Sequence, residues 1–259
     1  MANAFDPRFV GPTVTTMSDK DIKDPIGTRM KGQYENRTRF YLPRRTYTIL
    51  RLDGKAFHTY TRHMQRPYDT TFMDAMDAVM HVMLPEIMGA EFAYTQSDEI
   101  SILLTDFAKH TTEAWFDGNV QKQVSVAASM ATCLFNQRPG MSPTAMFDCR
   151  AFTIPDPVEV ENYFIWRQQD AVRNSILMLA QHHYSHKEMH CKNTSVLQDM
   201  IHAKGDNWND HPARFKRGGM AYYDRTEQPY PSWKIMPECP TFTSEDGRVA
   251  LKSLIPQYE

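Results

Sequence analysis

From Thr46 onward the chain moves between two rhythms of apolar and polar residues. TYTILRL (Thr46–Leu52) is dense in β-branched and aromatic residues and stops at the turn dipeptide Asp53-Gly54, which predicts a strand. Phe72, Met73, Met76, Val79, Met80, Met83 and Leu84 then keep to one helical face, with Asp69 or Thr70 placed to cap it. Glu91–Thr95 and Ile100–Thr105 predict two strands joined through Gln-Ser-Asp-Glu, a hairpin. Val120, Val124, Ala127, Ala131 and Leu134 mark a second amphipathic helix over Asn119–Asn136. Met146–Ile154 predicts a further strand, and Pro155 and Pro157 punctuate its end. Val158–His183 predicts a long helix. Thr194 or Ser195 can cap a shorter one over Val196–Lys204, which Gly205 ends. Residues 1–28 and the tail from Pro229 show no such period.

Strand, helix, hairpin, helix, strand is the order of an α+β, ferredoxin-like β-α-β-β-α-β sheet with its helices on one face, followed here by a C-terminal helical extension. The division expected is an arm over residues 1–28, a core over 29–154 and a helical region over 155–259. In this topology the first strand lies beside the central hairpin, so Asp53 approaches Asp98 and Glu99. Asp98-Glu99 read alone is compatible with an ordinary turn, since Asp side chains bond nearby backbone amides. Three carboxylates at one sheet edge are costly unless a cation neutralises them. Hard oxygen donors of this kind suit Mg²⁺ or Mn²⁺. Paired divalent ions on strand-end acids are the apparatus of in-line nucleotidyl transfer. Beside Asp53, the loop DGKAF offers successive backbone amides able to cradle a triphosphate, with Lys55 and His58 alongside.

Composition narrows the class. The 259 residues are 41 % apolar, enough for a substantial core, and the formal charge of −2 means that phosphate contacts must come from local patches. Residues 29–45 form one such patch, six Arg or Lys against the single acid Glu35. No run approaches the roughly 18 apolar residues of a membrane span, and the N-terminus lacks the apolar stretch of a secretory signal. The four cysteines are scattered without a CxxC, which fits a reducing cytoplasm.

Three other stretches carry candidate chemistry. His182, His183, His186 and His190, with Cys191, have helical spacing that could align zinc ligands, but no second ligand pair accompanies them. Arg167, Asp170, Arg173 and Asn174 form a polar stripe, either a solvated face of ion pairs or a surface that meets phosphate and sugar. GDNWNDHPARFKRGG (Gly205–Gly219) interleaves an aromatic with Asn, Arg and Lys, as RNA-contacting loops do.

Taken together, these blocks resemble one family. MKGQYEN (Met30–Asn36), RLDGKAFH (Arg51–His58), YTQSDEIS (Tyr94–Ser101), NVQKQVSVAASMA (Asn119–Ala131), FDCRAF (Phe147–Phe152), YFIWRQQDAVRNSI (Tyr163–Ile176), SHKE (Ser185–Glu188) and NWND (Asn207–Asp210) occur in the order of the histidine-tRNA guanylyltransferase superfamily. These polymerases add nucleotides in the 3′-to-5′ direction. The resemblance implies a polymerase-palm core with two Mg²⁺ ions held by Asp53, Asp98 and the Gly54 carbonyl, and Glu99 as a further ligand or nearby acid. Lys55, Ala56, Phe57, His58 and Ser97 would line the triphosphate of ATP, GTP or another nucleotide, and Lys122 and Arg150 would meet phosphates. Arg150, Arg167, Arg173, Asn174, Asn207 and Asn209 would face tRNA, and the family's assembly implies a homotetramer. The eukaryotic-type signature His-Ile-Asn-Asn is absent; Val172, Arg173, Asn174 and Ser175 stand there instead. In this the chain is similar to the bacterial-type branch, which implies template-directed repair of truncated tRNA 5′ ends. The rivals are a histidine-tRNA guanylyltransferase proper, a catalytically silent RNA-binding module, and a nucleotide cyclase on the same palm.

Overall fold

A computed structural model describes residues 25–226, 232–236 and 238–258. The chain divides into two units at Phe40/Tyr41. In the first, the helix Pro25–Gln33 is followed by a 3₁₀ turn over Glu35–Thr38, where Arg39 pairs with Glu35 one turn earlier. Everything below concerns the second unit.

Six antiparallel strands form one sheet in the order β4-β1-β3-β2-β5-β6. They are β1 (Tyr47–Gly54), β2 (Ala90–Gln96), β3 (Glu99–Leu104), β4 (Phe147–Ile154), β5 (Gly219–Asp224) and β6 (Ser232–Met236). The first four have the expected β-α-β-β-α-β order, with β3 central and buried along its whole length. Helix α1 (Thr70–Met83) crosses from β1 to β2, and α2 (Val120–Asn136) crosses from β3 to β4. Both pack on one face, where Met76, Met80, Ala131 and Phe135 meet Leu50, Leu52 and Ile102. Their starts follow from their caps. Asp69 accepts from Phe72 N at 3.0 Å and Asn119 from Lys122 N at 3.0 Å, each satisfying an amide that the helix cannot.

The C-terminal region differs from expectation in two ways. It covers the second face of the sheet, so helices flank both sides rather than one. Helix α3 (Pro157–His183) lays Val160 and Phe164 against Tyr47, Ile49, Phe92 and Leu103, and Leu251 of α6 (Glu245–Ser253) joins the same cluster. It also extends the sheet. β5 pairs with β2 and β6 with β5, although the sequence over these residues has no strand period. β5 reads as the end of a glycine-bearing basic loop, and β6 is bracketed by prolines. The outer half of α3 and α4 (Thr194–Ala203) bury a small core of their own around Leu179, Leu197, Ile201 and Phe215, the last on the short helix α5 (Ala213–Arg217). Asn193, rather than Thr194 or Ser195, caps α4, accepting from Val196 N at 3.0 Å.

Candidate active site

The antiparallel register sets Asp53 directly opposite Glu99, so β1 ends beside the β2–β3 turn. That turn has only two residues, Ser97 and Asp98, and Ser97 is left-handed at φ +48°. Asp53, Gly54, Ser97 and Asp98 consequently border one cavity of about 820 Å³ at the sheet rim. Ala56, Phe57 and His58 continue its wall. Gly54 is required by packing: a Cβ there would lie 2.3 Å from the Phe57 ring. The Phe57 ring is itself held in the core against Phe135 and Phe147, so the loop is anchored from beneath.

The two rim acids are under electrostatic load. Burial, then the charge of Asp53, pushes the Asp98 carboxyl up to about 6, against a hydrogen bond from Ser97. Asp53 is raised by burial and by Asp148 opposite it on β4, while Arg150 and Arg51 pull it down. Carboxylates that hold protons this strongly in each other's field favour a cation between them. With the Gly54 carbonyl adjoining, the donor set is all hard oxygen and fits Mg²⁺ or Mn²⁺.

Glu99 departs from the expected trio. Strand alternation turns it from the cavity to the second face of the sheet, where it is 5 % exposed. Arg167 of α3, equally buried, donates to it through Nε and Nη2, both at 2.7 Å. Arg167 Nη2 also reaches Asp170 at 3.0 Å, and Ser101, which donates to Glu99 at 3.3 Å, bonds Tyr163 at 2.8 Å. Burial pushes the Glu99 carboxyl up and the bidentate guanidinium opposes it. Among the described residues no three His, Cys, Asp or Glu side chains gather as a metal site. Two acids share the cavity, and the third is neutralised behind it.

Other expected residues are placed as follows. Arg167 belongs to that buried pair rather than to a tRNA-facing surface. Lys55 gives its backbone N–H to Met146 O at 2.9 Å, so that amide leaves the expected phosphate cradle, and its side chain is exposed. Lys122 is exposed, its Nζ 5.9 Å from the Phe116 ring centre. Arg150 is exposed on β4 opposite Arg51, and Arg173 is exposed in an ion pair with Asp170. Asn174 lines a narrow cleft that shares Phe72, Ser97 and Met178 with the main cavity. Asn207 accepts from Asn209 N at 3.0 Å, and the Asn209 carbonyl takes the Lys216 ammonium, so both shape their own turn.

The histidines do not assemble as zinc ligands. His183 and His211 flank Asp206 at 2.7 and 3.0 Å, and His183 above all holds its carboxyl down to about 2. His182 instead lines the cavity, with Met178 and Gln181 on the same face of α3. That wall escaped the sequence reading, although the i, i+3, i+4 spacing of 178, 181 and 182 was there to find. Arg66, which also borders the cavity, carried no such signal.

No helix among the described residues is long and apolar enough to cross a membrane. Comparisons with known proteins agree with this geometry. The family described as tRNAHis guanylyltransferase (Thg1) matches residues 27–155. A bacterial tRNA(His) guanylyltransferase-like protein solved in complex with ATP is 42 % identical, with TM-score 0.81, over 89 % of this chain and 99 % of that one. A structure of a bacterial protein of this kind with GTP is 40 % identical, with TM-score 0.74, over 90 % and 99 %. The tRNA(His) guanylyltransferase of Schizosaccharomyces pombe is 28 % identical over 208 residues, 73 % of this chain and 77 % of that protein.

Proposed function

This chain belongs to the tRNAHis guanylyltransferase family and is a nucleotidyltransferase, and we propose that it extends the 5′ end of truncated tRNA in the 3′-to-5′ direction by copying the opposing strand. The observation that carries this reading is the pairing of Asp53 with Asp98 on one cavity of about 820 Å³, the size of a nucleotide site. The bacterial proteins solved with ATP and with GTP support nucleoside triphosphates as the occupants. Val172–Ser175 in place of His-Ile-Asn-Asn favours templated repair over a dedicated guanosine addition.

Asp53, Asp98 and the Gly54 carbonyl would hold Mg²⁺, which when bound lowers the pKa of an attacking hydroxyl and neutralises charge on leaving phosphates. Two transfers follow. The tRNA 5′-phosphate attacks the α-phosphorus of ATP, releasing pyrophosphate and leaving an adenylylated end. The 3′-hydroxyl of the incoming nucleoside triphosphate then attacks the tRNA phosphorus, and AMP departs. Positioning carries most of the catalysis in such transfers. Ser97 orients the Asp98 carboxylate, Phe57 fixes the Gly54 loop from beneath, and His58 and Ala56 border the phosphates. Arg150 and Arg173, both exposed, are the basic side chains offered to tRNA. The setting would be cytoplasmic and the assembly a homotetramer, as the family resemblance implies.

The deciding experiment incubates the protein with tRNA lacking its 5′ nucleotide and with full-length histidine tRNA lacking the extra guanosine, with and without Mg²⁺. Mg²⁺-dependent extension that is faster on the truncated tRNA is expected. Faster addition to the full-length tRNA would make the enzyme a histidine-tRNA guanylyltransferase proper.

A further inference from the structure

We propose that the α3 face carrying Met178, Gln181 and His182 is the nucleoside-recognition wall of the cavity, and that the Gln181 amide reads the edge of adenine. This rests on the reading of the rim as the triphosphate end. The cavity has two chemically different sides. Asp53, Asp98 and Ser97 lie at the sheet rim, where a metal and phosphates belong, whereas α3 contributes a thioether, a neutral amide and an imidazole. Neutral groups able to donate and accept suit a base and its ribose and are poorly matched to three phosphates.

The neighbouring cleft is the other place a base could go. It offers only about 60 Å³, room for about two waters at roughly 30 Å³ each and too little for a purine. The main cavity has the volume, so the base stays there, against α3. The position is fixed by helix geometry, because residues three and four apart share a face. Ala171, Asn174, Ser175 and Met178 line the narrow cleft, and Met178, Gln181 and His182 continue the same stripe into the large cavity. One helix therefore forms a continuous wall, anchored by Arg167 at one end and by His183 on Asp206 at the other. Gln181 and His182 are exposed at the mouth, without a folding task to occupy them. A glutamine amide can donate and accept at once along an adenine edge, a pattern that guanine does not present.

The test is calorimetric binding of ATP, GTP and inorganic triphosphate to the full chain, wild type and with Gln181→Met or His182→Ala. Wild type is expected to prefer ATP. Gln181→Met should weaken ATP about tenfold, the size of one lost hydrogen bond, and GTP by less, with inorganic triphosphate unchanged. His182→Ala should weaken both nucleotides and spare the triphosphate. Unchanged ATP affinity in both variants would overturn the inference while leaving the rim reading intact. Equal loss of inorganic triphosphate would overturn it too, by showing a phosphate or folding effect. Wild-type protein that binds neither nucleotide nor triphosphate would bring down the rim reading itself.

Discussion

Asp98 and Glu99 are neighbours in sequence and opposites in the molecule. Asp98 lies in the two-residue turn, borders an open cavity and has Asp53 as its electrostatic neighbour. Glu99, one residue on, is the first residue of a buried strand and lies under a bidentate arginine. One carboxylate is held ready for a cation from outside the chain; the other already has its cation, supplied by α3. Adjacent acids therefore need not share a task, because the pleat sends neighbours to opposite sides.

The largest effect expected is on rate. Asp53→Asn or Asp98→Asn should lower tRNA extension by at least about a thousandfold, since the charge stabilisation at the reacting phosphate goes with them. Single-turnover extension measures it.

Next in size is stability. Arg167→Ala leaves Glu99 buried without a partner and should cost about 3–5 kcal/mol, read as a drop in denaturation midpoint. Exchanging both partners, Glu99→Gln with Arg167→Met, should recover most of that loss, because no lone charge remains. A double variant as unstable as Arg167→Ala would break the contrast.

Smaller, and opposite in sign, is the effect of Asp98→Asn on the metal-free protein. The folded state holds the Asp98 proton up to about pH 6, above the ordinary carboxyl value of about 3.9. Between those values the native state binds more protons than the unfolded one, so stability falls as pH rises through that window. The asparagine variant escapes this fall. In chelator at pH 8 it should be more stable than wild type by roughly 1–3 kcal/mol, and the advantage should vanish near pH 4. Thermal midpoints across that range test it.

The least expected change is in Arg173→Ala. Its side chain is 66 % exposed where that of Arg167 is 7 %, and its partner Asp170 keeps the Arg167 contact. Stability should move by less than about 1 kcal/mol, while tRNA affinity, measured by filter binding, should fall.

Much of the frame was legible in the sequence. The period of Phe72–Leu84, the caps Asp69 and Asn119, and the hairpin around Ser97-Asp98 all lie where pattern set them. Local pattern could not show the partner of Glu99. Its pairing with Arg167 spans 68 positions and depends on which face of a both-sides-buried strand looks toward α3. β5 and β6 escaped for a related reason. GMAYYD and SWKIM become strands by pairing with β2 and each other, and tertiary context outweighs weak propensity. The wall at Met178, Gln181 and His182 was hidden because the polar stripe near Arg167 and the histidine run looked like separate features, whereas both lie on α3.

The most direct test of the division between the two acids is Mn²⁺ binding in the presence of ATP, followed by electron paramagnetic resonance. Wild type and the Glu99→Gln/Arg167→Met protein should bind Mn²⁺ with affinities within about threefold, while Asp98→Asn loses the site, as expected if oxygen donors at the rim alone hold the ion. Loss of Mn²⁺ from the double variant as complete as from Asp98→Asn would contradict it, and Glu99 would then rank among the metal ligands.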